Sequence, residues 1–115
     1  MEGVDIDSTG GSTMHSVLIT FTCAASPDDL EKPFREYAIA LREQPGFLSK
    51  TWIRTDTGYG GFHLFADRAA ADAYLGSALA AGLMATDGFD DFVVTHYDVF
   101  DELSAMTGVQ PAAAR

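Results

Sequence analysis

The stretch Gly46-Phe-Leu-Ser-Lys-Thr-Trp-Ile-Arg-Thr-Asp-Thr-Gly-Tyr-Gly-Gly-Phe-His-Leu-Phe-Ala66 decides the fold of this chain. Two runs rich in β-branched and aromatic residues flank the polar segment Asp56-Thr57-Gly58, which predicts a β-hairpin with a tight turn. Gly60-Gly61 leaves a spot without side chains in the second arm, which suits a bulge or the close approach of another group. The hairpin also carries Trp52, the only tryptophan, and His63, one of three histidines.

Side chains of the hairpin alternate between the two faces of the predicted sheet. In the first arm, Lys50 and Trp52 share one face, and Phe47 points to the opposite face. In the second arm, His63 and Phe65 share a face. The alternation therefore fixes which side chains of each arm can meet on one side of the sheet.

The segments before the hairpin predict a strand followed by a helix. Residues 16–23 are apolar or β-branched on both faces, as in a strand that is covered on both sides. Ser26-Pro27-Asp28-Asp29 is typical of a helix start, and the helix extends to about Gln44. Pro33 removes one backbone hydrogen bond, so either the helix kinks there or its regular part begins there. The apolar stripe of this helix comprises Leu30, Phe34, Tyr37, Ala38 and Leu41.

The segments after the hairpin repeat this order. Asp67 is a candidate cap for a second helix that extends to about residue 85 and is weakened at Gly76. Residues 91–100 predict the last strand, which is again apolar on both faces. Residues 101–107 are expected to form one further helical turn.

The predicted elements follow the order β-α-β-β-α-β, with strands near 16–23, 46–55, 59–66 and 91–100 and helices near 28–44 and 67–85. This order is typical of the ferredoxin-like α+β fold, and right-handed crossovers give the antiparallel strand order 4-1-3-2. Two helices cover one face only, whereas the strands are apolar on both faces. We therefore expect a homodimer in which a second sheet covers the remaining face. The domain is expected at 15–108, between a flexible tail at 1–14 and a frayed end at 109–115.

The composition of the chain excludes several classes of function. Its 115 residues predict one domain, and its net charge of −10 opposes binding to nucleic acid or to an anionic membrane. A single cysteine, Cys23, excludes an internal disulfide and fits a reducing compartment. No apolar run reaches the length of a membrane span, and no signal peptide is evident. We therefore expect a cytoplasmic protein.

Four short motifs resemble the YdhR-type mono-oxygenases of the dimeric α+β barrel superfamily. The resemblance covers residues 16–108, nearly the whole predicted domain. It implies a homodimer whose sheets face each other and a cavity in each subunit between sheet and helices. The motifs are Gln44-Pro-Gly-Phe-Leu-Ser-Lys-Thr-Trp52, Gly60-Gly-Phe-His-Leu-Phe-Ala-Asp67, Ala73-Tyr-Leu75 and Tyr97-Asp-Val99 with Leu103-Ser104.

The resemblance also implies a range of chemistry. The wider superfamily includes cofactor-free oxygenases of aromatic polyketide-type phenols, polyketide cyclases, small-molecule isomerases and haem-handling enzymes. We expect a mono-oxygenase that needs no cofactor and acts on a small aromatic or polyketide-like substrate. A cyclase or isomerase with the same pocket is the alternative, and a non-catalytic binding dimer is a further one. The Trp, Tyr, Asn and Arg set of the polyketide oxygenases does not map onto this chain, which contains no asparagine.

The candidate catalytic residues are two histidines and the tryptophan. His63 and His96 lie mid-strand among apolar neighbours, where a neutral imidazole is a candidate general base. Trp52 is a candidate for stacking on a flat aromatic substrate or for donating its indole N–H to it. For each of these residues the alternative is a packing or hydrogen-bonding role in the core. The expected substrate-binding residues are Tyr37, Tyr74, Phe34, Thr20 and Phe65.

We do not expect a metal site. His15, His63 and His96 fall on three neighbouring strands, but they lack the close spacing and the carboxylate that typify metal-binding motifs. Cys23 has no base at motif spacing and is expected to be a buried small residue.

Overall fold

The computed structural model describes residues 13–110. Four strands form one antiparallel sheet in the order β2-β3-β1-β4: β1 (His15–Thr22), β2 (Phe47–Arg54), β3 (Gly58–Phe65) and β4 (Asp90–Asp98). The helices of this part of the chain are α1 (Pro27–Leu41), α2 (Arg68–Leu75), α3 (Ala78–Met84) and α4 (Asp101–Met106). The predicted ferredoxin-like fold and strand order are confirmed. None of these helices is long and apolar enough to cross a membrane.

Helix α1 begins at Pro27 and continues through Pro33, so the alternative of a start at Pro33 is wrong. Ser26 caps the helix, because its hydroxyl accepts a hydrogen bond from the backbone N–H of Asp29 at 3.2 Å. The helix ends at Leu41, before the predicted Gln44. Beyond this point the backbone hydrogen bonds change from a four-residue to a three-residue spacing, which tightens the chain into turns.

The predicted second helix is two helices in the structure, α2 and α3. Gly76 ends the first helix, and Ser77 caps the second. The Ser77 hydroxyl donates to the carbonyl of Tyr74 at 2.6 Å and accepts from the backbone N–H of Ala80 at 3.2 Å. A capping serine directly after a glycine favours a new helix start over continuation. The prediction of one continuous helix is therefore wrong at this point.

The register of β2 shifts between Phe47 and Ser49. Phe47 lies opposite Phe65, and Lys50 lies opposite His63. Residues paired across antiparallel strands share a face of the sheet, so Phe47 and Lys50 point to the same side. The predicted opposite orientation of Phe47 is wrong, because an extra residue in a bulge reverses the alternation. Phe47 packs on Phe65 with ring centroids 5.9 Å apart.

Helices α1, α2 and α3 cover one face of the sheet, called the covered face below. Burial of apolar side chains there supplies the main driving force for folding. The main buried cluster comprises Val17, Ile19, Leu41, Phe65, Ala71, Tyr74 and Ala80, and a second one comprises Phe21, Leu30 and Tyr59.

The opposite face of the sheet, called the open face below, exposes large apolar side chains. Phe62, Val93 and Tyr97 are exposed by 42%, 56% and 45%. The rings of Phe62 and Tyr97 lie 6.2 Å apart, centroid to centroid. A groove of ≈ 690 Å³ runs along this face and is bordered by α4. A monomer rarely exposes such a patch without a function for it.

Met14, which the sequence assigns to the flexible tail, is fully buried. Its backbone N–H donates to the carboxylate of Asp101 at 3.0 Å, and its carbonyl accepts from the N–H of Val99 at 3.2 Å. These bonds fasten the residue before β1 to the start of α4. The remaining tail (1–12) and the last residues of the predicted frayed end (111–115) lie outside the described residues.

Candidate active site

A small cavity lies between the covered face and the helices. Its volume is ≈ 10 Å³, which is room for about one water molecule. Phe34 and Tyr37 reach it from α1, and Trp52 and His63 reach it from the hairpin, so four of the predicted site residues meet here. The polar walls of the cavity are Tyr37, Lys50, Trp52 and His63.

Two open grooves adjoin this cavity. One groove, of ≈ 300 Å³, lies between α1 and α3 and shares the walls Phe34, Tyr37 and Leu83 with the cavity. The other, of ≈ 460 Å³, lies beside β2 and shares Phe34 and Trp52. The partitions are side chains, and a change of rotamer is enough to move a side chain aside. Binding of a ring-sized ligand in the cavity would therefore require one of these shared side chains to move.

His63 is buried on β3 with its two ring nitrogens in different states. Nδ1 lies 3.1 Å from the carbonyl oxygen of Val17, which only accepts hydrogen bonds, so Nδ1 carries the proton. Nε2 is buried and has no hydrogen-bond partner among residues 13–110. Burial and the charge of Lys50 lower the pKa of His63 to about 4, against the backbone groups of Val17 and Gly61, which raise it. The imidazole is therefore neutral at pH 7 and has an unused lone pair on Nε2.

Lys50 is the cavity residue that sequence reasoning missed. Its Nζ lies 3.4 Å from the ring centroid of Trp52 and 5.2 Å from that of Tyr37. Burial lowers the pKa of Lys50 to about 7, whereas the ring of Trp52 favours the charged form. The signal for it was its shared face with Trp52 in the first arm of the hairpin. A mid-strand lysine beside a tryptophan indicates an amine that lies over an aromatic ring.

Trp52 is held among aromatic rings. Its ring lies 5.0 Å from Phe34 and 6.5 Å from Tyr37, centroid to centroid, the latter edge to face. The residue is 37% exposed, so one part of it faces solvent and another faces the cavity. This position suits an aromatic wall that stacks on an entering ring.

Tyr37 and Tyr74 join α1 to α2 through a hydrogen bond between their hydroxyl groups. Burial and this bond raise the pKa of Tyr37, and burial raises the pKa of Tyr74. Both side chains therefore remain neutral phenols at physiological pH. Tyr37 lines the cavity, whereas Tyr74 lies behind it, with its ring centroid 5.6 Å from that of His63.

Two other expected binding residues do not line the cavity. Phe65 is fully buried in the core and stacks on Tyr74, with ring centroids 5.6 Å apart. Thr20 is paired with Gly60 and Val93 and points to the open face. Alternation along β1 separates it from Ile19, which lines the cavity.

His96, the second candidate base, belongs to a different cluster. Its Nδ1 lies 2.8 Å from Nε2 of His15, whose Nδ1 lies 3.4 Å from the carboxylate of Asp98. Burial and the charges of Arg68 and His96 lower the pKa of His15, against Asp98, which raises it. His96 does not line the cavity. The two candidate histidines therefore do not form one site.

No group of three metal-ligating side chains within residues 13–110 is placed to hold a metal ion. His15 contacts His96, whereas His63 lies at the cavity. Cys23 is half-buried.

A family model described as "Putative mono-oxygenase ydhR" matches residues 17–110. No curated protein sequence matches the chain. One similar solved structure is SnoaB, a cofactor-independent oxygenase from Streptomyces nogalater. It is 20% identical, with a TM-score of 0.62 over 76% of this chain and 94% of SnoaB.

Two further structures share the fold. A "putative antibiotic biosynthesis monooxygenase" from Caulobacter crescentus is 23% identical, with a TM-score of 0.57 over 83% of this chain and 97% of the other. A dimeric ferredoxin-like protein from Jannaschia is 19% identical, with a TM-score of 0.56 over 75% of this chain and 99% of the other. At these identities the likeness shows the fold alone.

Proposed function

The chain belongs to the YdhR mono-oxygenase family, and we propose that it oxidises a small aromatic or polyketide-like substrate with O₂ and without a cofactor. The observation that carries this proposal is Nε2 of His63, a buried basic atom with no partner among residues 13–110, in a residue that lines the cavity. A buried acceptor without a partner is costly to the fold, which favours a functional role for it. The apolar walls and the aromatic ring of Trp52 fit a flat substrate.

The proposed chemistry requires a substrate with an acidic C–H beside a carbonyl, as in an anthrone. Nε2 of His63 accepts the proton, and the C–H electron pair remains on the substrate as an enolate. The enolate gives one electron to O₂, and the substrate radical and superoxide combine with return of the proton to form a hydroperoxide. Loss of water from the hydroperoxide leaves a ketone. One CH₂ group and one O₂ thus give one C=O group and one water molecule.

A pKa of about 4 makes His63 a weak base in the empty site. The ion pair formed on proton transfer offsets this weakness. The substrate anion forms in the same step as the imidazolium and pairs with it in a medium of low dielectric constant. The helices that cover the site also keep water away from the reactive anion.

The test is the turnover of anthrone by the parent protein and by His63→Ala. We expect His63→Ala to lower the rate by about 10²–10⁴-fold, the usual effect of removing an acid–base group. The matched variant His96→Ala removes the other candidate histidine and should retain the parent rate. Circular dichroism verifies the fold of both variants. Equal rates for His63→Ala and the parent protein would remove the assignment.

The cyclase or isomerase alternative uses the same cavity and base but consumes no O₂. Oxygen uptake during turnover therefore separates the two functions. The non-catalytic alternative predicts neither uptake nor turnover with any enolisable substrate.

We also propose that the protein is a homodimer that joins two open faces. The exposed apolar side chains of that face, among them Phe62 and Tyr97, support this arrangement. A self-complementary patch of this kind fits a two-fold symmetric contact. The cavity lies on the covered face, so each subunit carries its own site.

Cytoplasmic localisation is part of this proposal. Cys23, the only cysteine, forms no disulfide within the chain. A free thiol fits a reducing compartment.

A further inference from the structure

Lys50 is a half-buried amine that lines the cavity and has no anionic partner among residues 13–110. The ion pairs of residues 13–110 join His15 with Asp98, Arg35 with Glu31 and Arg68 with Asp72, and none includes Lys50. A buried ammonium group without a counter-ion is unfavourable. Burial lowers the pKa of Lys50 to about 7, as expected for an ammonium group that loses water without gaining a counter-ion. The contact with the Trp52 ring is the main compensation that the structure provides.

Gly61 of β3 leaves space for the side chain of Lys50. A Cβ atom on Gly61 would lie 2.2 Å from Cε of Lys50 and 3.1 Å from Cε1 of His63. The lysine stem therefore crosses the bare backbone at Gly61, and the imidazole ring borders the same spot. Lys50 and His63 are also paired in the sheet register. Two basic side chains thus meet at one wall of the cavity, and neither has an acidic partner there.

The titratable groups around Lys50 are few. His63 faces it from β3, and Tyr37 faces it from α1. The lining residues from β1 and α3, Ile19, Phe21 and Leu83, carry no charge. The cavity therefore has an excess of positive charge whenever Lys50 is protonated.

We propose that Lys50 binds an ionised oxygen of the substrate, which restricts the substrates to acidic phenols and enols. This inference rests on the proposed function, because it places the substrate in the same cavity. The neutral amine accepts the proton of the substrate O–H: its lone pair forms the new N–H bond, and the O–H electron pair remains on oxygen. The ammonium and the oxyanion form together, so the cavity stays neutral overall. His63 remains available for the carbon-bound proton.

The ion pair between Lys50 and the oxyanion is favoured by its surroundings. Two opposite charges in contact attract each other more strongly in a site of low dielectric constant than in water. The oxyanion also supplies the counter-ion that Lys50 lacks. An electron-rich phenolate is a better electron donor to O₂ than the neutral phenol, so binding and oxidation favour the same form of the substrate.

The test uses 4-nitrophenol, which is not a substrate for the proposed reaction and whose phenol and phenolate forms absorb at different wavelengths. Titration below the solution pKa of the probe should show that the parent protein binds it as the phenolate. Lys50→Met keeps an unbranched chain but has no amine, and we expect about 10–100-fold weaker binding, the effect of losing a hydrogen bond to a charged group. The matched control is Lys32→Met, which removes the other lysine of the chain, exposed on α1. This variant should bind the probe like the parent protein.

Binding of the probe as a neutral phenol, or phenolate binding that Lys50→Met leaves unchanged, would overturn the proposal. If Lys50→Met does not fold, Lys50→Gln takes its place, and we again expect weaker binding of the phenolate. The readout is binding alone. Suppose that Lys50→Met loses phenolate binding and that the parent protein consumes no O₂ with anthrone. This result would support the role of Lys50 and refute the proposed function.

Discussion

The paired residues Lys50 and His63 supply two bases with different properties. The Nδ1–H of His63 is fixed by the carbonyl of Val17, so its other nitrogen is an acceptor at neutral pH. Lys50 has a pKa of about 7 and occurs in both forms at that pH. The charge of Lys50 contributes to the low pKa of His63, so protonation of one opposes protonation of the other. In the proposed reaction, a substrate oxyanion paired with protonated Lys50 would offset this opposition before His63 accepts the second proton.

Gly61 and Gly60 allow a direct test of the space that Lys50 occupies. Gly61→Ala places a Cβ atom 2.2 Å from Cε of Lys50, a flexible side chain that moves aside. Gly60→Ala places one 2.3 Å from the backbone carbonyl oxygen of Ile19, which cannot move without disturbing β1. We expect Gly61→Ala to weaken nitrophenolate binding at nearly the parent stability. Gly60→Ala should lower the free energy of unfolding by about 1–3 kcal/mol, the usual cost of overpacking.

Urea unfolding and 4-nitrophenol titration measure the two effects. Equal destabilisation by both substitutions, with nitrophenolate binding unaffected by Gly61→Ala, would show that Lys50 does not occupy the space above Gly61.

The sequence identified the hairpin residues at the cavity but not all of their neighbours. Trp52 and His63 stood out by residue type, and Tyr37 and Phe34 by the apolar stripe of their helix. Lys50 did not, because its position at the cavity depends on the bare backbone at Gly61 and on the neighbouring ring of Tyr37 from α1. Thr20 and Phe65 share strands with cavity residues, but orientation and depth within the core keep them out of the cavity.

At the scale of elements, periodicity predicted every strand, and right-handed crossovers predicted the order in which the strands pair. It did not predict the interruptions. The bulge between Phe47 and Ser49 adds one residue without changing the apolar character of β2, so no break in the pattern reveals it. As a result, Phe47 packs against the core on the same face of the sheet on which Lys50 and Trp52 line the cavity.

The break between α2 and α3 has a similar origin. The apolar stripe continues across it, and only Gly76 and Ser77 indicate a new start. Leu83 of α3 lines the cavity. The break between α2 and α3 therefore determines the orientation of the helix that carries Leu83. A single straight helix was the simpler prediction, because the hydroxyl that bonds on both sides of the break is visible only in three dimensions.

At the scale of the whole molecule, the open face predicts the assembly. Phe62→Glu introduces a negative charge into the apolar patch of that face. In a two-fold symmetric dimer, each subunit contributes one such charge to the interface. We expect the parent protein to sediment at twice the chain mass of 12.3 kDa. Phe62→Glu should weaken the dimer by at least about 30-fold, as for the loss of a central contact worth about 2 kcal/mol.

Ile39→Glu is the matched control, because Ile39 is a large apolar side chain on α1 that is 57% exposed away from the sheet. This variant should remain a dimer. A parent protein that sediments as a monomer at micromolar concentration would contradict the expected assembly, as would a Phe62→Glu variant that dimerises normally.

Catalysis at His63 is proposed to insert one oxygen atom from O₂ into the substrate. Turnover of anthrone under ¹⁸O₂ in unlabelled water, followed by mass spectrometry of the product, measures this insertion. We expect the parent protein to form a product that carries one ¹⁸O atom, and we expect His63→Ala to form it at a rate lower by about 10²–10⁴-fold. A product without ¹⁸O, or labelled product formed by His63→Ala at the parent rate, would refute oxygen insertion at His63.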